Sequence, residues 1–466
     1  MQPIEPVAEL PPAVRRDLTF RDATALIVGL VIGAGIFKAP SLVAGATGSP
    51  EWMFAAWAFG GAISIAGALC YAELATAYPH PGGDYHFLRR AYGRPISFLF
   101  GWARFSVIVT GSIALLAFIF GDYMHAFLPL VANPTVGGAL YAAAAIVGLS
   151  WINLRGTRTS AATQGLLTIV EVLGLLLVAA SAVFLPSVPA TQPAAAVGAP
   201  PAFGLAMVFV LLTYGGWNEA AYISAELKDT RRDMVRSLVV SLLLVTALYL
   251  FVNWAYWHGL GLEGMAKSQA IAADLLGRAF GPTGSQVISL LVAIATLTSI
   301  NATMIVGARS SYAVGADWPK LKAFAAWDRD RSAPLFAMRI QCAAALLLVG
   351  IGAWIGSGFK SMVEFTAPVF WFFFLLAGIS LFVLRAREPN AVRPYRVPLF
   401  PFLPLVFCAT CAYMLWSSLG YVYNQKLGGF NAGWIGVAVL AIGVVLLGLL
   451  HLPARTPPLQ PEEEKP

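Results

Sequence analysis

The chain has 466 residues, of which 58% are hydrophobic and only 11% are charged, and its mean hydropathy is +0.74. This composition excludes an ordinary soluble protein and predicts an all-α integral membrane protein, with room for about twelve spanning helices of about 20 residues each. The net charge of +7 does not indicate a nucleic-acid partner, because the basic residues are spread over short loops between apolar runs.

Twelve apolar runs are predicted to span the membrane. They lie near residues 20–45, 52–79, 96–128, 135–153, 162–185, 201–226, 237–258, 284–315, 335–355, 362–385, 398–421 and 430–452. Lysine and arginine are concentrated in alternate loops, whereas the opposite loops hold only Lys267, Arg278, Lys360 and Lys426. By the positive-inside rule, this asymmetry predicts a multi-pass protein of the cell membrane with both termini in the cytoplasm.

The first span contains an unusual stretch, Gly29–Pro40, with glycines at 29, 33 and 35 and a proline at its end. These are poor helix formers. One interpretation is that Gly33 and Gly35 allow a neighbouring helix to pack closely. The other is that the helix breaks here, which a membrane tolerates only where protein or a water-filled cavity satisfies the freed backbone groups. The second interpretation predicts a binding site.

The sixth span repeats this feature in Thr213–Tyr222, where a double glycine and polar residues lie in mid-membrane. Two interrupted spans five helices apart are typical of inverted five-helix repeats, whose breaks meet near the bilayer midplane. The pair therefore favours a substrate cavity. The predicted units are an N-terminal tail (1–17), a first repeat (18–186), an outer linker (187–200), a second repeat (201–386), two further spans (387–452) and a disordered tail (453–466).

Several motifs resemble those of the amino acid–polyamine–organocation superfamily. They are Gly33-Ala-Gly-Ile-Phe37 in span 1, Tyr71-Ala-Glu-Leu with Pro81-Gly-Gly-Asp-Tyr85 after span 2, and Tyr214-Gly-Gly-Trp-Asn218 in span 6, which looks most like the L-type amino acid transporter branch and its bacterial relatives. The resemblance covers about residues 18–400. It implies a sodium-symporter-like fold with two inverted five-helix repeats, discontinuous helices 1 and 6, and transport of amino acids or related amines.

An amino-acid site at the two breaks would use mainly backbone groups. Amide groups near Ala34, Gly35 and Ile36 are expected to bind the substrate carboxylate. Freed carbonyls near Ile32, Gly33, Phe209 and Leu212 would accept hydrogen bonds from the α-ammonium. Side-chain selectivity is assigned to Tyr214, Trp217 and Asn218, although both aromatic residues could instead be ordinary packed side chains. Leu212 stands where the L-type branch carries an aromatic outer gate, which leaves the closure of the site open.

Glu171 is the sharpest candidate for coupling, because an ionisable residue inside the membrane is costly. In the L-type branch a lysine at the matching position of span 5 stands in for a sodium ion, so the charge here is reversed. Glu171, near the span 1 break and the face of span 8 with Thr298 and Ser299, could hold a proton. Alternatively, it could form a structural ion pair with Arg104, which lies at a similar depth.

No catalytic residue, metal site or cofactor is expected. The apolar spans carry no paired histidines or His/Cys cluster, and an ATPase phosphate-binding loop is absent. The predicted function is secondary active transport of small neutral amino acids by alternating access, with proton coupling through Glu171 as one possibility. The alternatives are an exchanger, a cationic amino acid or polyamine transporter, and an amino-acid-binding membrane sensor. The expected partners are an amino acid, a proton and the lipid bilayer, with no obligate protein partner.

Overall fold

A computed structural model describes residues 19–80, 82–155, 172–188, 202–220, 227, 230–328, 333–356, 358–424, 426–427 and 430–451. These residues are almost entirely helical, apart from turns and two short antiparallel strands, Lys426–Leu427 (β1) and Phe430–Asn431 (β2). Eight of the described helices are long and apolar enough to cross a membrane. The predicted fold class, an all-α multi-pass membrane protein, is confirmed.

Every predicted span contains at least one described helix. The helices are α1 (Phe20–Val31), α2 (Ala39–Thr47), α3 (Pro50–Ala77), α4 (Gly83–Tyr92), α5 (Arg94–Ala103), α6 (Thr110–Phe127), α7 (Pro134–Arg155), α8 (Val172–Phe184), α9 (Phe203–Thr213), α10 (Thr230–Lys267), α11 (Ile271–Asp317), α12 (Leu335–Ile355), α13 (Gly358–Arg387), α14 (Phe402–Asn424) and α15 (Ala432–His451). Span 1 comprises α1 and α2, span 3 comprises α5 and α6, and α4 lies between spans 2 and 3.

The first span is interrupted where its glycines predict a break. α1 begins with a capping box in which Thr19 and Asp22 each bond the backbone of the other. It ends at Val31 because Ile32 and Gly33 are extended, with ψ of 100° and 178°. A short 3₁₀ turn, Ala34–Phe37, follows before α2 resumes the span, with Pro40 in its first turn.

Two other spans depart from regular α-helix near the centre of the bundle. In span 3, α5 and α6 are joined by a π-helical segment, Arg104–Val109, of the kind that often marks functional sites. In span 6, α9 ends at Thr213 and a turn over residues 214–216 leads into a helical turn over 217–220. Gly216 has a φ of +104°, a conformation that suits glycine.

Two long helices, α10 and α11, are each bent sharply at a glycine whose backbone is not helical. α10 changes direction at Gly261 and α11 at Gly281, each with a φ of +68°. Pro282 follows the second bend, where a helix that restarts can accept proline. The bends separate short helical pieces, which pack across the α2 end of the bundle, from the long membrane-spanning parts of α10 and α11.

The bundle is apolar on its outer surface as well as in its core. Large exposed side chains such as Leu244, Leu347, Trp354 and Trp416 face outward from the long helices, as expected of a surface that contacts lipid. Ion pairs are found near the helix ends instead. Glu73, 1% exposed, accepts hydrogen bonds from the Arg385 guanidinium at 2.6 and 2.8 Å, and this bond joins α3 to α13.

Candidate functional site

A cavity of about 340 Å³ lies between the two interrupted spans. This volume is at the lower end of the range for small-molecule sites. Its wall combines backbone of the two breaks with side chains of spans 2, 3, 8 and 10 and of α4. The predicted site residues on the wall are Ile32, Gly33, Ala34, Gly35, Arg104, Phe209, Leu212, Asn218 and Ser299. The sequence prediction and the cavity therefore converge on one place.

Gly33 leaves the span 1 break open toward the cavity. A Cβ atom built on Gly33 would have no neighbour within 4 Å, so the space beside its backbone is free for another molecule. Ala34 and Gly35 begin the 3₁₀ turn, and the first amides of a helical turn have no acceptor within it. This end of the turn carries a partial positive charge suited to a carboxylate.

The two breaks touch each other at Gly216. A Cβ atom at this position would lie 2.2 Å from the Leu30 carbonyl oxygen, so a larger residue cannot be accommodated without separating the spans. Gly35 also faces span 6, where its Cβ position would be 3.3 Å from Thr213 Cγ2. The glycines therefore serve two purposes: Gly216 permits close approach, while Gly33 provides open space.

Tyr249 of α10 contacts both breaks, although the sequence alone did not single it out. Its hydroxyl oxygen lies 2.9 Å from the Val31 carbonyl oxygen and 3.3 Å from the Thr213 carbonyl oxygen. Those carbonyls are the last of α1 and α9, whose continuing helices would otherwise supply donors. With one proton the hydroxyl donates to one carbonyl at a time, and its position beside both carbonyls keeps the two helix ends close together.

Aromatic side chains close much of the apolar wall. Leu212 lines the cavity and is not aromatic. Four phenylalanines of α13 also line it: Phe359, Phe370, Phe373 and Phe374. The run from Phe370 to Phe374, just beyond Pro368, was the sequence signal for this wall. It was overlooked because an aromatic run inside a span is usually ordinary packing.

Three predicted substrate residues lie behind the wall. Ile36 is fully buried in the 3₁₀ turn. The Tyr214 hydroxyl donates to the Trp57 carbonyl at 3.1 Å. Trp217 packs edge-on against Tyr71, with ring centroids 5.2 Å apart. In this arrangement they support the cavity rather than line it, and direct contact with substrate stays a prediction for all three.

Arg104, at the start of the π-helical segment, is the basic residue at the α4 end of the cavity. It donates to Glu219 Oε1 and Oε2 at 3.2 and 3.3 Å, and to the Ser310 hydroxyl at 3.1 Å. Arg104 is 7% exposed. These contacts join spans 3, 6 and 8 across the end of the cavity. The structure pairs Arg104 with Glu219, and the predicted pair with Glu171 involves a residue outside the described part of the chain.

Asp84 of α4 lies on the same wall and is only 4% exposed. Its Oδ1 atom is buried without a hydrogen-bond partner among the described residues. Burial raises the pKa of Asp84 to about 6, and the charge of nearby Glu219 adds to this increase, whereas hydrogen bonding from Tyr71 and Asn218 and the charge of Arg104 oppose it. The sequence named Asp84 only as part of a family motif.

The other residues predicted to take part in coupling differ in their position relative to the cavity. Ser299 lines the cavity. Thr298 lies off the wall and donates to the Ile294 carbonyl at 3.3 Å. Glu171 lies outside the described residues, so the role assigned to it stays a prediction.

A second polar cluster lies at the α2 end of the bundle. Lys38, 5% exposed, donates to Asp122 Oδ2 at 2.7 Å, the Gln269 carbonyl at 2.7 Å and Gln269 Oε1 at 3.0 Å. Beside it, the Tyr123 hydroxyl donates to the Phe37 carbonyl at 2.7 Å and accepts from the Ala272 amide at 3.2 Å. These bonds hold α2, α6 and the short helical piece of α11 together.

A mid-bundle cavity between two discontinuous helices, with polar clusters toward each end of the bundle, is the architecture of a secondary transporter. The sequence comparisons then define the family. The model of the amino acid permease family matches residues 18–448, and the chain belongs to this family. It is therefore a membrane transporter and not an enzyme.

Similar proteins include several animal transporters. The chain is 30% identical over 414 residues to the mouse (Mus musculus) b(0,+)-type amino acid transporter 1, covering 86% of this chain and 82% of the relative. It is 28% identical over 418 residues to the rat (Rattus norvegicus) large neutral amino acids transporter small subunit 2, covering 87% and 77%. It is 27% identical over 447 residues to the mouse Asc-type amino acid transporter 1, covering 94% and 81%.

These comparisons confirm the resemblance to the amino acid–polyamine–organocation superfamily and the prediction of amino acid transport. The rat relative is named a small subunit, so its name describes one component of a larger protein. The expectation that the present chain needs no protein partner stays a prediction.

Proposed function

We propose that the chain moves small neutral amino acids across the membrane by alternating access at the cavity between the two breaks. The observation that carries this proposal is the open space beside Gly33 within a cavity of about 340 Å³. A zwitterionic amino acid matches such a site. Its carboxylate would accept hydrogen bonds from the amides that begin the 3₁₀ turn. Its ammonium group would donate hydrogen bonds to the carbonyls of Ile32, Gly33 and Phe209.

The selectivity proposed here follows from the size and polarity of the remaining wall. Leu212, Val363 and the phenylalanines of α13 offer an apolar surface to the substrate side chain. Asn218 and Ser299 add two neutral polar groups. Away from the charged residues of the α4 end, this surface favours a short uncharged side chain.

We further propose that uptake is coupled to a proton, in a protein of the cell membrane with both termini in the cytoplasm, as the lysine and arginine distribution predicts. In this orientation the α4 end of the cavity faces the cytoplasm and the α2 end faces outward. The sequence assigns proton binding to Glu171. Unchanged pH dependence of uptake by Glu171→Gln would remove this residue from the coupling scheme.

Purified protein in proteoliposomes distinguishes the proposed function from its alternatives. Symport predicts that labelled amino acid accumulates under an inward proton gradient without substrate inside. Exchange predicts accumulation only with unlabelled substrate inside. A sensor predicts saturable binding without accumulation under either condition. A thermal-shift screen of amino acids and amines selects the substrate beforehand, because a ligand that binds the folded state raises its stability.

A further inference from the structure

Asp84 is the buried carboxyl group at the α4 end of the cavity to which the fold gives no fixed role. The other acidic residues near that end are engaged in ion pairs: Glu219 with Arg104, and Glu73 with Arg385. Asp84 lies on the cavity wall, is 4% exposed, and has a buried Oδ1 atom without a hydrogen-bond partner among the described residues. An ionised carboxylate in such a place is unfavourable.

The groups that face Asp84 come from three elements. Tyr71 is contributed by α3, Arg104 by the π-helical segment of span 3, and Asn218 and Glu219 by span 6. Among these described neighbours the only cation is Arg104, and Glu219 already occupies it at 3.2 Å. The ionised cluster of Asp84, Glu219 and Arg104 carries one negative charge more than it can pair internally, and one proton would neutralise it.

From this geometry we propose that Asp84 is a proton-binding residue of the transport cycle, and that its protonation stabilises closure of the α4 end. This inference rests on the proposed transport function. With Asp84 neutral, Arg104 and Glu219 pair without a competing carboxylate, and spans 3, 6 and 8 stay joined. With Asp84 ionised, the two carboxylates repel each other, which favours separation of α4 and span 6.

The proton path follows from the position of the group. While the α4 end is closed, Asp84 can take its proton only from water in the cavity. When the α4 end opens, bulk water solvates the carboxylate, and the proton leaves on the side to which the substrate is released. One proton thus moves from one side to the other with each substrate, and no other reactant is required. Glu171, if it titrates, is a separate site.

The test is uptake by proteoliposomes under an imposed pH gradient, with the membrane potential clamped. For one coupled proton, a gradient of one pH unit supports up to about tenfold accumulation by the wild type. Asp84→Asn is expected to show no accumulation above equilibrium, while counterflow with unlabelled substrate inside continues. Continued counterflow distinguishes loss of coupling from loss of transport, because exchange moves no net proton.

Glu263→Gln, at an exposed carboxylate away from the cavity wall, is the control and should keep gradient-driven accumulation, and Asp84→Glu is the conservative variant. Retention of gradient-driven accumulation by Asp84→Asn would overturn the proposal and leave the transport function intact. If Asp84→Asn also loses counterflow, the pH dependence of uptake by Asp84→Glu is compared with that of the wild type. A displaced pH midpoint supports the proposal, and an unchanged midpoint contradicts it. Absence of counterflow in the wild type would instead refute the proposed transport function.

Discussion

Gly33 offers the sharpest test of the substrate site at a single residue. Gly33→Ala places a methyl group in the open space beside the break, with no protein atom within 4 Å and a permitted φ of −126°. We therefore expect a folded protein of unchanged or slightly higher stability, with substrate binding at least about tenfold weaker because the methyl group occupies the place of the substrate. Uptake kinetics and ligand-induced thermal shifts measure the two effects separately.

Gly148→Ala is the control for that substitution. Gly148 lies within α7, also has no neighbour within 4 Å of its Cβ position, and is not on the cavity wall. It should reproduce the stability effect and leave the apparent substrate affinity unchanged. Wild-type affinity in Gly33→Ala would show that the substrate does not approach this backbone.

Asp84 gives a second prediction that requires no transport assay. Its carboxyl group has an ordinary pKa of 3.8, and burial raises the folded-state pKa to about 6. Between these values the folded protein binds more protons than the unfolded chain, so the free energy of unfolding falls as pH rises. Asp84→Asn lacks this penalty, and its stability advantage over the wild type should grow from pH 4 to 6, reaching about 3 kcal/mol.

The comparison must be made between variants at each pH, because neighbouring histidines titrate in the opposite sense. Burial lowers the pKa of His86 to about 3, with stacked His80 adding to the effect. As pH falls below the ordinary pKa of histidine, the unfolded chain binds more protons at these two residues than the folded protein does, so the free energy of unfolding falls. Since both proteins share the pair, its contribution cancels. The measurement is thermal melting of both proteins in detergent. If their difference in stability does not change with pH, burial does not disfavour the ionised Asp84 carboxylate.

The two broken helices depend on Tyr249 as well as on their glycines. Tyr249→Phe leaves the Val31 carbonyl without its donor, which should destabilise the protein by about 1–3 kcal/mol. It should also reduce the transport rate, because the ends of α1 and α9 are no longer kept close together. Thermal melting and initial uptake rates report the two effects.

Tyr92→Phe is the matched variant for this test. The Tyr92 hydroxyl donates to the Leu376 carbonyl at 2.8 Å, away from the cavity wall. It should lose stability without a comparable loss of uptake per folded molecule. Equal uptake by Tyr249→Phe and Tyr92→Phe would show that joining the breaks is not needed for transport.

The sequence predicted the breaks but not what holds them. Gly33, Gly35 and Gly216 disrupt helix locally, and a local signal can be recognised in one chain. Tyr249 is 218 residues from its partner Val31, so nothing near it in sequence marks the contact. Asp84 escaped notice for a similar reason, because its significance depends on burial against spans 3 and 6. Trp217 was assigned to the wall on proximity to the double glycine, yet its ring turns toward Tyr71.

At the scale of the whole molecule, the proposed transport requires the cavity to open alternately at its two ends. At the α2 end, Lys38, just before α2, bonds to Asp122 of α6 and to Gln269 between α10 and α11, and at the α4 end Arg104 joins spans 3, 6 and 8. Both clusters join neighbouring elements through hydrogen-bonded charges, which water can solvate when an end opens. Opening one end while the other stays closed is the central claim of this account.

Substituted-cysteine accessibility tests this claim most directly. Ser112 lines the cavity and donates to the Ile108 carbonyl, whereas Ser106, one turn and a half earlier, makes the same type of bond to Trp102 off the cavity wall. In an active background without the four native cysteines, Ser112→Cys should react with a membrane-impermeant thiol reagent from either side. Saturating substrate should protect it, and Ser106→Cys should show no such protection. Reaction of Ser112→Cys from one side only during continued transport, or without substrate protection, would contradict the account.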